Sequence, residues 1–451
     1  MIATGDVVVT GDRADAKSDV LVYGYAAPGG KLAEATLTAK PGESCDVRQG
    51  DLYCRAPRVE MGESPLPGGK KALRAKAVGK GFIQYRPAPR ADAAAPSQPF
   101  DVQFATSGSF DDAKLLAVFE DDVHLSREGM DLTARHVELN FLRKEAAASE
   151  PGKKASAQLE VASIFATTDV VVTKGKDADS LRASGAALTW DRVKQKALLV
   201  GDESVPARVL RDKNELTAPR MDVTLKNDAF DRLITTGSGH MTGYTQTSLG
   251  TAAKASPAAG AAPAPAKLQK MDVTWDGEGF YQALETKDPA SEPTAFVRVK
   301  DNAKAVGEDA DCTADALMIY LGPTAAAPAA EGAPAPSASE GGSLKLEVRN
   351  AIASGNARAK AFNVDTNAWR FARGDTLEWD RLTGRMVISS EKGDAVVWDN
   401  SNEWVGKQLV VNRNPEGKYE ASSTSGRRIT FYEEGTPKVP SDDGKKWKPI
   451  Y

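Results

Sequence analysis

The sequence predicts an all-β protein, antiparallel and repetitive, built from stacked, bent hairpin arms around a long, thin apolar interior. Three observations carry this. Short apolar runs and period-two stretches dominate, as in Val170-Val171-Val172-Thr173, Ala197-Leu198-Leu199-Val200, Met386-Val387-Ile388 and Leu409-Val410-Val411. Polar turn clusters interrupt them every 8–12 residues or so, the spacing of sandwiches and barrels. The chain also repeats itself. One phrase reads GDLYCRAPRVEM from Gly50, GMDLTARHVELNF from Gly129, NELTAPRMDVTLKN from Asn214 and DADCTADALMIYL from Asp309. A second alternates with it: LRAKAVGKGFIQYR from Leu73, LRASGAALTWDR from Leu181 and FARGDTLEWDR from Phe371.

Each element follows from local chemistry. In the first phrase Leu132 and Ala134 share one face of a strand, whereas Val137, Leu139 and Phe141 share a face of opposite parity. Leu216 and Ala218, then Met221, Val223 and Leu225, do the same. Both halves face the interior only if the chain bends or bulges between them, which places bends at Arg135-His136 and Pro219-Arg220. In the second phrase Trp190-Asp191-Arg192 and Trp379-Asp380-Arg381 stand at equivalent places. Their tryptophans read as core or edge anchors, or as walls of a groove.

Near the start, CDVRQGDLYC folds back at Gln49-Gly50. A two-residue turn there sets Cys45 opposite Cys54 in a non-hydrogen-bonded pair, where the two Cα atoms come closest and a cross-strand disulfide is tolerable. The alternative is two reduced, half-buried cysteines. A bridge favours an oxidising compartment. Cys312 reads as a small core residue. Met1 to Asp6 run directly into the strand Val7-Val8-Val9 without a signal peptide, so the chain is either cytoplasmic or a piece of a longer secreted protein.

With 451 residues there is room for two to four domains or one long repeat array. Lys and Arg number 58 against 62 Asp and Glu, a balance that gives no basic footprint for nucleic acid and no polybasic membrane patch. Segments 88–99, 146–157, 251–267 and 323–342 are rich in Ala, Pro, Gly and Ser and read as exposed loops or linkers. They separate three β repeats at 1–87, 100–250 and 268–436, followed by a polar tail at 437–451.

Catalytic signals are weak. GSGHMTG from Gly237 has neither the glycine spacing nor the following helix of a nucleotide loop. PGGK at Pro28 and at Pro67 reads as a hairpin tip. His124, His136 and His240 have no second ligand at metal spacing, and Glu120-Asp121-Asp122 before His124 reads as a solvated acidic strand end. No Ser or Cys sits in a nucleophile elbow, and no carboxylate pair stands out. The expectation is a non-enzymatic protein with no cofactor and no metal.

The alternation of ELTAPRMDVTL and DLTARHVELNF with LRASGAALTWDR, together with the opening GDVVVTGDRADAKSDVLVYGY, resembles the OstA-like proteins of lipopolysaccharide transport. That family includes a periplasmic bridge protein, its inner-membrane partner and the N-terminal domain of the outer-membrane translocon. The likeness is greatest from Glu120 to Met241 and from Gly374 to Glu433. It implies an elongated β-jellyroll, two sheets joined along one side like a folded taco and open along the other. It also implies a periplasmic location, acyl chains carried in an apolar groove, and edge strands that pair with other jellyroll proteins. The implied groove walls are Leu132, Val137, Leu139, Phe141, Leu188, Trp190, Met221, Val223, Leu225, Leu377 and Trp379. Two rivals remain: a structural or protein-binding β-solenoid with a self-filled interior, and a carbohydrate-active parallel β-helix.

Overall fold

The computed structural model describes residues 1–10, 15–24, 34–49, 51–65, 71–86, 99–127, 129–144, 158–175, 180–226, 229–245, 269–285, 293–308, 310–323, 346–363, 368–381, 383–399, 402–413, 419–423, 428–431, 438–440 and 447–449. Among these residues every regular element is a strand, and the paired strands run antiparallel. The all-β, jellyroll-like architecture expected from the sequence is what the chain adopts. The Ala/Pro-rich segments lie almost entirely outside the described residues. So does most of the polar tail, where Lys438–Pro440 pairs with Trp447–Pro449.

The chain forms two compact units, Met1–Asp212 with Thr224–Asp228, and Lys213–Val223 with Ala229–Tyr451. In the first, one sheet lays Glu34–Thr38, Arg58–Pro65, Lys71–Val78 and Ser107–Asp111 side by side. A second sheet holds Cys45–Gln49, Leu52–Ala56, Gly81–Tyr85 and Phe100–Phe104. Long strands pass through both. Leu116–Arg127 pairs with Ser107–Asp111 through its first half and with Phe100–Phe104 through its second. Asp15–Gly24 and Leu181–Asp191 also divide their pairings between two strands. The two sheets therefore share a crease. The second unit repeats the device: Ala295–Gly307 divides its pairing between Glu278–Ala283 and Gln269–Trp275, and Ala368–Asp380 between Arg385–Ser389 and Ala395–Asp399.

What makes the crease is a bulge repeated in five strands. Gly5-Asp6, Asp121-Asp122, Thr168-Asp169, Asp301-Asn302 and Gly355-Asn356 are adjacent pairs in the left-handed region. Each coincides with a shift of register in which two residues oppose one on the neighbouring strand. Gly, Asn and Asp tolerate that backbone best, and Thr168 is the one exception among the ten. The bulges also align the repeats: Ala3-Thr4-Gly5-Asp6-Val7-Val8-Val9-Thr10 matches Ala166-Thr167-Thr168-Asp169-Val170-Val171-Val172-Thr173. Glu120-Asp121-Asp122, read from the sequence as a strand end, is thus the middle of a strand bent at the crease.

Burial follows the expected change of parity. Leu132 and Ala134 are buried, Arg135 is exposed, and burial resumes at Val137, Leu139 and Phe141. The chain also breaks at Pro219, between Asn214–Ala218 and Arg220–Lys226. The cysteine hairpin departs from expectation. Gln49 faces Leu52, Val47 faces Cys54 and Cys45 faces Ala56, so the cysteines are diagonal neighbours rather than a direct pair. Both are buried free thiols, and Cys45 Sγ lies 3.6 Å from the Pro57 carbonyl oxygen. Burial pushes the Cys45 and Cys54 thiols up to about 11 and about 12.

Each unit has its own core, and the two differ in grain. Lined up by their bulges, Val123, Leu125, Leu132, Val170 and Val172 of the first unit correspond to Ala303, Ala305, Cys312, Ala357 and Ala359 of the second. One inner wall of the second unit is therefore built of much smaller side chains.

Candidate apolar cleft

Strand alternation turns every second side chain inward, and inward residues near the crease are sealed by one another. Leu132, Val137 and Leu139 are no more than 1% exposed, within one core that also holds Phe141. Leu188 and Trp190 pack half-buried against it. Leu377 and Trp379 belong to the core of the second unit. Met221 is buried, while Val223 and Leu225 are half-buried. Six of the residues read as groove walls thus lie in or against the first core and two in the second, and Phe141 borders an open cleft.

That cleft lies in the first unit, between the sheets and on the side away from the crease. It measures about 270 Å³. The second sheet contributes Leu52, Ile83, Tyr85 and Phe100, and the first contributes Leu73, Phe110, Ala117, Phe119, Phe141 and Leu159. Most of these residues stand toward the strand ends farthest from the crease. Aromatic rings line the way in. Tyr85 and Phe100 have centroids 5.2 Å apart, Phe100 and Phe141 6.1 Å, and Phe110 meets Phe141 edge-on at 6.0 Å. The Tyr85 hydroxyl donates to the Leu159 carbonyl at 3.3 Å and clasps one sheet to the other.

The rim is polar. Gln49, Asp51 and Asp112 border the opening. Arg143 donates to the Asp112 carboxylate at 2.5 Å, while Arg86 is held by Asp101 at 2.8 Å. Sequence reading missed Leu52, Leu73, Ile83, Tyr85, Phe100, Phe110, Ala117, Phe119 and Leu159. The available signal was the aromatic residue at strand ends, in GFIQY and SGSFD.

The repeated Trp-Asp-Arg phrase proves to be a turn lock. Asp191 accepts the Lys194 amide at 2.9 Å, and the hydrogen bond and charge of Lys194 hold its carboxyl below the usual range. Asp380 accepts the Thr383 amide at 3.1 Å. Arg192 reaches back to Glu160, and Arg381 reaches Glu347 at 2.5 Å, with Arg349 also on Glu347 at 3.3 Å. Each histidine meets a carboxylate: His124 with Asp131, His136 with Glu120 and Glu138, and His240 with Asp272. Among the described residues no group of three or more His, Cys, Asp or Glu could hold a metal ion. No helix among them is long and apolar enough to cross a membrane.

No protein-family model matches the chain, and no curated protein sequence matches it. Among solved structures there is a likeness to LptH of Pseudomonas aeruginosa, the LptA-homologous periplasmic component of the lipopolysaccharide transport device. It is 17% identical, with a TM-score of 0.23, and covers 30% of this chain and 85% of that one. Values this low transfer no property from one protein to the other.

Proposed function

We propose that this protein is a non-enzymatic carrier of acylated lipid. In this reading it takes lipopolysaccharide or a related glycolipid across the periplasm, as part of a transenvelope bridge of jellyroll proteins. The observation that supports the reading is the cleft: an apolar, aromatic-lined space with a polar rim, left where two creased sheets part. Such a space suits an acyl chain whose head stays in water, because each buried methylene contributes about 0.8 kcal/mol without any catalytic group. The first strand, Ile2–Val9, pairs with Asp15–Gly24 and leaves Ile2 and Val8 exposed, which supports edge pairing with a partner jellyroll. A second reading is a self-filled scaffold of the cell envelope, favoured by the near-complete burial of Leu132, Val137 and Leu139.

A photo-crosslinking residue separates the two. Placed at Phe141, which borders the cleft, it captures lipid. Placed at the exposed neighbour Asn140 on the opposite face, it does not. Mass spectrometry of the captured species identifies the lipid. Equal silence at both positions in folded protein favours the scaffold.

A further inference from the structure

We infer that the outward face of the second sheet, beside the mouth of the cleft, is a saccharide site that receives the sugar head of the carried lipid. The inference rests on the glycolipid-carrying reading above and gives the head of that ligand a place. Strand alternation sets the face. Ala16, Val47 and Cys54 turn into the core, so Lys17, Asp46, Arg48 and Tyr53 beside them turn outward. They line a depression together with Asp15 and Gln84. In register Lys17 stands opposite Asp46, and Asp15 opposite Arg48. Neither couple closes into an ion pair. The Asp46 carboxylate accepts from the Tyr53 hydroxyl at 2.5 Å and from Arg55 at 2.7 Å instead. Among the described residues Asp15, Lys17 and Arg48 have no ion-pair partner.

The class of ligand follows from this mixture. Lys17, Arg48 and Arg86 stand against Asp15, Asp46 and Asp51, so the depression favours neither sign of charge. A bare anion meets Asp15 and Asp51, and a bare cation meets Lys17 and Arg48. A sugar hydroxyl donates to the one set and accepts from the other. The C–H faces of a pyranose ring need apolar contact, and the Tyr53 ring and Val8, 68% exposed, supply it. Position joins this face to the cleft, because Asp51 and Leu52 border both. A chain held in the cleft brings its head around the turn between Gln49 and Leu52 onto Arg48 and Gln84.

Photo-crosslinking with two probes tests this: intact lipopolysaccharide, and the saccharide left after its complete alkaline deacylation. A photo-crosslinking residue goes at exposed Lys17 in the depression. Another goes at exposed Gln103, which shares the outward cross-strand row of Lys17 but lies outside the depression. A third goes at Phe141 in the cleft. Lys17 captures both probes, Phe141 captures only the acylated one, and Gln103 captures neither. Asp15→Ala with Arg48→Ala, two exposed positions, lowers saccharide capture at Lys17 about tenfold, the worth of one hydrogen bond to a charged group. At saturating lipid it leaves capture at Phe141 unchanged. Three results overturn the sugar site: no saccharide captured at Lys17, equal capture at Gln103, or capture indifferent to the double substitution. Lipid still captured at Phe141 then leaves the carrier reading standing. Silence at Phe141 and Lys17 alike in folded protein overturns both.

Discussion

Thr168 is the residue least suited to its place. It holds a left-handed backbone that Gly, Asn or Asp occupies at the other nine crease positions, and a β-branched side chain pays most for that conformation. It is exposed, so nothing is lost from the core by changing it. Thr168→Asn therefore stabilises the protein by about 1 kcal/mol, read as a shifted denaturant midpoint at unchanged slope. His136 makes a second residue-scale prediction. Partial burial opposes its charge, but hydrogen bonds and charges from Glu120 and Glu138 outweigh that and raise its pKa. A raised folded pKa means the stabilisation is complete below the unfolded value of about 6.5 and is lost as pH climbs through the folded value. Between pH ~5.5 and ~9 the wild type should lose stability relative to His136→Asn; parallel curves would show that the charge does not matter. The crease residues were visible in the sequence, but only as scattered acidic dipeptides. Nothing local distinguishes Asp121-Asp122 inside a strand from the same pair at a strand end.

At the scale of elements, aromatic residues are seated on glycines. Trp275 is 3% exposed, and a Cβ on Gly239 would stand 2.1 Å from its ring, with Gly279 also approached to 2.8 Å. Phe104 sits on Gly81 and Gly108 in the same manner. Gly239→Ala should destabilise by roughly 1–3 kcal/mol through overpacking. Gly243→Ala on the same strand, with nothing within 4 Å of its new Cβ, should be neutral in the same melts. The turn locks differ in depth. Arg381 and Glu347 are almost fully buried, whereas Arg192 and Glu160 keep more contact with water. Arg381→Met leaves the buried Glu347 carboxylate with Arg349 as its remaining partner and should cost about 1–3 kcal/mol, with a smaller loss for Arg192→Met. Alternation and repeated phrases made the strands legible, and the change of parity located the bend at Arg135. The cysteine hairpin slipped because period-two patterning is indifferent to a shift of two residues in strand pairing, so Cys45 meets Ala56 with every side chain still on its proper face.

For the whole molecule, the cleft was the least legible feature, and the reason is geometric. Its walls come from residues as far apart as Leu52 and Leu159, on strands whose order in the sheets is not their order in sequence. Periodicity says which face is inward, not where two inward faces fail to meet. The crease has a consequence for how such a chain can change. Connections that cross it, such as 57, 79–80, 105–106, 201–206, 219 and 237–238, are six residues or fewer. The strands flanking 87–98, 145–157, 246–268 and 324–345 all end on the far side. Replacing 251–267 by a short Gly/Ser link should leave the unfolding midpoint unchanged, since loop closure depends weakly on length. The same link inserted between Ala105 and Thr106 should cost several kcal/mol, because it separates strands that the bulges hold in register. Each unit is in effect a bound book: pages can be lengthened at the fore-edge, and nothing can be added at the spine.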